Sequence, residues 1–435
     1  MGVQDLIITP FYFFILLIAA YMIRPYVTNQ DTKPYFIPGL FVKFIGAIAL
    51  GLIYQFYYGG GDTFTFHTHG SRWIWQAFMD NPGIGLKLFF TEAGDYNGQS
   101  YKYISRIWQF RDSSSWFVIK LTAFFDLITF GTYGATALFF SSFSFLGSWA
   151  LYLAFYKLRP NLKKHIALAV LFIPSVIFWG SGILKDTITF GALGLITYLL
   201  FELTIHKKST FIHIVSLVFF SWIILSIKIY ILLCFLIAAS AFMIFQYTSF
   251  IKKPVIKIMA MPLIGVVFGG AGFFALQKVS QEDSRYALNN IAQTAAVTAY
   301  DIRAGWGARL GDTSSYNLGT LDGSLTSFIS LAPKGIVVTL FRPFLWEAQN
   351  PLMLLAALES LMVTLLTLNV IFTIKIRKIF DFIQTPIGIF CLTFTLIFAF
   401  AVGVSTSNFG TLMRYKIPVM PFFLTSLIFL LGNKK

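Results

Sequence analysis

The residues richest in chemistry run from Gly59 to His69. Gly59, Gly60 and Gly61 lead into Asp62, and His67 and His69 follow five and seven positions after it. Glycines let a backbone turn sharply and approach a ligand, and one carboxylate behind them can serve as a general base. The plainer alternative is a helix-ending turn with a solvated Asp62. Histidines two apart face one way on a strand and diverge on a helix. With Asp62 they can bind a metal, and interfacial hydrogen-bonding histidines are the alternative.

Further polar residues punctuate long apolar runs. Pro174, Trp179, Lys185 and Asp186 lie where one run ends and the next begins, with an Asp186 helix cap paired to Lys185 as the structural alternative. Lys228 sits between two apolar runs, where snorkelling competes with binding of an anionic headgroup. Arg342 and Glu347 bracket an aromatic pair, which suits either phosphate recognition or an internal ion pair. Arg414 and Lys416 precede the last run. Lys185, Lys228, Arg342, Arg414 and Lys416 together suggest a polyanion held at membrane depth, such as a lipid phosphate or diphosphate. His67, His69, Arg72, Asp186, Glu347 and Arg309 are candidates for contacting the acceptor or supporting the site.

The elements that must position these groups are membrane helices. Of 435 residues, 57% are hydrophobic, 18% aromatic and only 12% charged, with mean hydropathy +0.74. A soluble fold cannot hide that much apolar surface, and repeated apolar runs of roughly 15 to 22 residues predict a polytopic protein. The runs are too long and too little alternating for barrel strands, which leaves an α-helical bundle whose backbone satisfies itself. Cys234 and Cys391 both fall within apolar runs and read as buried, inert thiols.

Spans are expected near 6–23, 37–57, 134–156, 166–183, 187–205, 211–226, 229–248, 257–277, 350–374, 384–402 and 417–432, about eleven in all. The first is read as a span and not a cleavable signal, because no basic segment precedes residues 11–20. The formal charge of +15 does not point to nucleic acid, because it is concentrated in short loops. Segments 24–43, 157–164, 206–208, 252–257, 375–378 and 434–435 hold seventeen of the 33 Lys and Arg against one acid, Asp31. That places the N-terminus outside and the C-terminus in the cytoplasm. Counting 116–130 as a further span would reverse the loops before it and put Lys120 and Asp126 in lipid, at about 2.5–3.5 kcal/mol each. A helix lying in the interface avoids both consequences. Two long external regions result, 58–133 and 278–349, and residues 1–435 read as one integral membrane domain without internal repeats.

This layout resembles the GT-C superfamily of membrane glycosyltransferases, which includes the protein and lipid mannosyltransferases and the aminoarabinose transferase. The resemblance rests on Gly61, Asp62 and Thr63 followed by an interfacial 66–131 region. It rests also on Arg414, Tyr415, Pro418 and Pro421, similar to the Arg-Tyr…Pro…Pro run before a late span in many members. The chain departs from the pattern in its extra span at 6–23, and in carrying Thr63 where a second acid is familiar. The resemblance implies a GT-C-like fold and inverting transfer of a sugar from a polyprenyl-phosphate-linked donor to a glycan, lipid or protein acceptor. It further implies Asp62 as base or acceptor ligand, a possible divalent metal (Mg or Mn) with no other cofactor certain, and a site on the outer face of a bacterial cytoplasmic membrane.

Other classes remain open. A polysaccharide polymerase or O-antigen ligase would rely on Arg303, Arg309 and Arg342. A lipid or glycolipid flippase would need polar mid-span residues, of which Glu359 is the clear acid, Glu202 lying near the inner face. A non-catalytic membrane subunit would tolerate neutralisation of each external cation.

Overall fold

The computed structural model describes residues 1–96, 98–208, 210–248, 291–301, 315–319, 322 and 324–432. The chain is a multi-pass, all-helical membrane protein. Among the described residues seven helices are long and apolar enough to cross a bilayer, or eight if one bent pair counts as a span, and none forms a strand. The chain divides into two compact units, Met1–Ile229 and Tyr230–Lys435.

In the first unit, α1 (Asp5–Val27) and α2 (Lys33–Phe56) are followed by short helices α3 (Asp62–Phe66), α4 (Arg72–Asp80), α5 (Pro82–Phe90) and α6 (Tyr101–Ile104). Next come α7 (Ser113–Ile128), α8 (Tyr133–Leu158), α9 (Lys163–Leu171), α10 (Pro174–Trp179), α11 (Lys185–Thr204) and α12 (Phe211–Thr248), whose residues from Tyr230 onward belong to the second unit. The α8–α11 contact is backbone to backbone: a Cβ on Gly147 would fall 2.0 Å from the Gly191 carbonyl oxygen. Small residues at a helix crossing permit that approach, which in lipid takes the place of a hydrophobic driving force. The segment that invites counting as an extra span is α7, whose 16 residues keep it out of the spanning set.

Three expected spans differ in the structure. The run 166–183 is not one helix: α9 stops at Leu171, Pro174 opens α10, and 180–184 is irregular and buried. Proline lacks the N–H that would continue the helix, and Gly180 and Gly182 disfavour a helix beyond α10. The runs 211–226 and 229–248 form the two halves of α12, broken at Lys228 (φ −146°, ψ 81°). The run 257–277 lies outside the described residues.

Lys43 also departs from expectation. The charge count treats it as a loop cation, yet it lies inside α2 and is 1% exposed. Its Nζ donates to the carbonyls of Val176 and Gly180 (2.9 Å each) and to Ser144 Oγ (3.0 Å). Buried backbone without helical partners must be satisfied by something else. Lys43 does this for the end of α10.

The second unit contains α13 (Ile291–Tyr300), α14 (Leu325–Ser330), α15 (Ala332–Phe341), α16 (Pro351–Thr373), α17 (Ile376–Ile383) and α18 (Pro386–Ser405). It ends with α19 (Phe409–Tyr415) and α20 (Met420–Gly432), the pair bent by 66°. Thr339 of α15 donates to the Ala399 carbonyl of α18 at 2.7 Å, fastening a short helix to a spanning one. Ala292, Ala295, Phe328, Leu331 and Val404 pack together as a local core.

Candidate functional site

The turn after α2 is built for a close approach. Gly59, Gly60 and Gly61 have φ of +66°, +139° and +127°, a region other L-residues avoid. A Cβ on Gly61 would also lie 2.6 Å from the Tyr54 ring. The turn delivers Asp62, half-buried, to the start of α3.

The first unit also holds two lysine–aspartate pairs made by the candidate lysines. Lys185, the first residue of α11, donates from Nζ to Asp112 Oδ2 (2.9 Å) and to Ser114 Oγ (2.6 Å). The Asp62 carboxylate acts electrostatically on the same ammonium, and the ring of Phe66, on α3, lies 6.0 Å from it. Lys228, at the break in α12, binds Asp186 Oδ1 at 2.5 Å. The structural alternative for Lys185 and Asp186 was an adjacent pair at a hairpin cap. The structure crosses the partners instead: Lys185 goes to Asp112 and Asp186 to Lys228.

Asp112 carries chemistry that the sequence reading passed over. It is the N-cap of α7, accepting from Ser115 N (2.9 Å), Ser115 Oγ (2.5 Å) and Ser114 Oγ (2.9 Å). Burial pushes its carboxyl up, but the Lys185 charge and these hydrogen bonds win and hold it well below the usual carboxylate range. Its signal was legible, since Asp112 followed by three serines and an apolar run marks a helix start.

The two histidines part company with Asp62. His67 is buried, with Nε2 lying 3.5 Å from Asp126 Oδ1 and its ring edge-on to Tyr133. Burial lowers its pKa more than the Asp126 charge raises it. Asp126 accepts from Ser71 Oγ (2.6 Å) and Thr136 Oγ1 (2.7 Å), so the network ties α7 to α8 and to the π-helical turn His67–Ser71. His69 is exposed and stacks on Trp108 at 5.5 Å. Arg72 donates to the Gly131 carbonyl (2.8 Å) and lies over Trp75. Among the described residues no three His, Cys, Asp or Glu side chains are grouped to hold a metal ion. Asp62, His67 and His69, which could have supplied a metal's donors, are not grouped together.

The remaining candidate cations belong to the second unit. Arg342 donates from Nε to Glu347 Oε2 (3.0 Å) and from Nη2 to Glu347 Oε1, the internal ion pair that competed with phosphate binding in the sequence reading. Its guanidinium also faces Phe409 at 5.0 Å. Glu347 accepts from the Phe344 N–H as well, and although burial pushes its pKa up, these partners hold it below its ordinary value. Lys416 is fully buried and donates to Ser360 Oγ (3.1 Å) and the Arg342 carbonyl (3.4 Å), with Glu359 acting on it electrostatically. Arg414 is 9% exposed in the last turn of α19, beside Tyr415. Arg303 and Arg309 lie outside the described residues.

No protein-family model, no curated protein and no solved structure matches this chain, and the site stands on its own geometry.

Proposed function

We propose that this protein is a GT-C-like membrane glycosyltransferase that moves a sugar from a polyprenyl-phosphate donor to an acceptor hydroxyl at the outer face of a bacterial membrane. The observation that carries the reading is the placement of Asp62. A half-buried carboxylate on a three-glycine turn sits within electrostatic reach of Lys185, the first residue of a spanning helix. A base beside a lysine that can receive an anion is the minimum that phosphate-leaving glycosyl transfer requires.

In this reading Asp62 takes the proton of the acceptor hydroxyl as its oxygen attacks the anomeric carbon. The bond from that carbon to the phosphate oxygen breaks, and the polyprenyl phosphate leaves with the electron pair. Lys185 stabilises the negative charge that develops on the leaving oxygen. Every group assigned a role in the transfer belongs to the first unit.

Asp62→Asn removes the base and keeps the shape of the side chain. It is expected to lower transfer from a synthetic prenyl-phosphate sugar by about 10²–10⁴-fold, with folding unchanged by size-exclusion profile. Full activity in that variant sinks the assignment. The polymerase or ligase reading would move the loss to Arg342→Ala.

A further inference from the structure

The two lysine–aspartate pairs of the first unit share their chemistry and differ in access. Lys228 and Asp186 side chains are 9% and 1% exposed, whereas those of Lys185 and Asp112 are 18% and 39% exposed. A sealed pair is fixed, because parting it leaves charges in a medium that cannot solvate them. A pair reached by water can exchange partners.

We propose that Asp112 is a built-in competitor for the anion that Lys185 receives, holding the ammonium until a phosphate takes its place. This rests on the reading of Lys185 as a phosphate ligand. Three observations support the exchange. Asp112 keeps its partners when Lys185 leaves, since Ser115 N, Ser115 Oγ and Ser114 Oγ all donate to it. Asp112 and Ser114 take two of the three donors of Lys185 Nζ, which leaves one for an incoming oxygen. A phosphate group carries more charge and more acceptor oxygens than one carboxylate, so it wins the ammonium at sufficient concentration. Because Asp112 is held in its charged form, the competition operates throughout the neutral range.

The contest gives the site a threshold. Weakly charged or neutral lipids do not displace Asp112, and only a phosphate-bearing ligand does. Without the competitor the same lysine would bind anions more tightly and with less discrimination.

The test measures binding without turnover. Full-length protein in detergent is titrated with farnesyl phosphate and, separately, with inorganic diphosphate, in wild type, Asp112→Asn, Asp112→Ser and Lys185→Met. Asn and Ser both retain a helix cap while removing the charge, and size-exclusion profiles confirm that each variant is folded. Both Asp112 variants are expected to bind the probe roughly tenfold more tightly than wild type, an effect of the size that one neighbouring charge produces at a partly buried site. Lys185→Met is expected to lose the binding. Tightening for both probes identifies the phosphate alone as the ligand, and tightening for farnesyl phosphate only identifies a lipid-borne phosphate. Unchanged or weaker binding in both Asp112 variants overturns the proposal. So does binding that survives Lys185→Met, or no binding of either probe to any form. An active Asp62→Asn enzyme would end the transfer chemistry and leave this result standing, so the two failures are distinguishable.

Discussion

The two units hold their candidate cations in different ways. In the first, each lysine is neutralised by an acid far away in sequence, Lys185 by Asp112 and Lys228 by Asp186. In the second, Arg342 is matched by Glu347 five residues on, and Lys416 is hydrogen-bonded to a hydroxyl and a carbonyl, with Glu359 acting on it electrostatically. A local pair is a property of a loop and survives small movements of the helices around it. A long-range pair exists only while separate helices are packed in register. The charges of the first unit therefore report on its packing, and the Arg342 pair of the second reports on a turn.

The largest expected effect breaks the sealed pair. Lys228→Met removes the ion-pair partner of buried Asp186 and is expected to cost about 3–5 kcal/mol. Lys185→Met, in the more open pair, is expected to cost about 1 kcal/mol. Thermal unfolding of both in detergent compares them directly, and equal losses would erase the distinction between a fixed and an exchangeable pair.

Lys43→Met comes next. It strands the Gly180 carbonyl and leaves the Val176 carbonyl only the Gly180 N–H, and is expected to cost about 1–3 kcal/mol, for one buried acceptor left unmet. A loss below about half a kilocalorie in the same unfolding measurement would show that the end of α10 does not depend on Lys43.

The local pair is expected to be gentler. Arg342→Lys keeps the charge and loses the two-point contact with Glu347, at about 1–2 kcal/mol. A loss as large as that of Lys228→Met would place Arg342 among the long-range contacts.

The smallest effect is a slope with pH. Burial lowers the pKa of His67, so the folded state disfavours its protonated form. The unfolded chain then takes up a proton first as pH falls below about 6.5, the ordinary histidine value. Stability is complete above that pH and declines below it, by at most about 1.4 kcal/mol per pH unit. Asp112 acts in the same sense lower down, losing its contribution as pH falls below the ordinary carboxylate range. His67→Gln is expected to flatten the unfolding profile between about pH 7.5 and 5.5. An unchanged slope would mean that Asp126 and its neighbours accept the protonated ring at no cost.

Much of the helix pattern could be read from the chain, because a membrane span must be long and apolar wherever it is placed. The break at Lys228 was legible as a lone cation between two apolar runs. The break within 166–183 was half legible: Pro174 announced a bend, but nothing local said that Lys43, more than a hundred residues away, would satisfy the interrupted backbone. Lys43 was misread for the same reason. A charge count sees a cation near an apolar run and cannot see the carbonyls that await it inside the bundle. The turn before Asp62 was readable because three consecutive glycines have few other uses.

By itself the sequence determined that this is an all-helical, multi-pass membrane protein, that an acid follows a glycine turn after the second span, and that Glu347 was within reach of Arg342. These conclusions come from hydropathy and from neighbours a few residues apart. Tertiary structure alone decided which acid meets which lysine, that His67 turns to Asp126 while His69 turns to Trp108, and that Lys43 lies within a span. The physical reason is that charge pairing inside a helical bundle is set by which helix ends come together. That depends on packing such as the glycine contact of α8 with α11, and not on any distance measured along the chain.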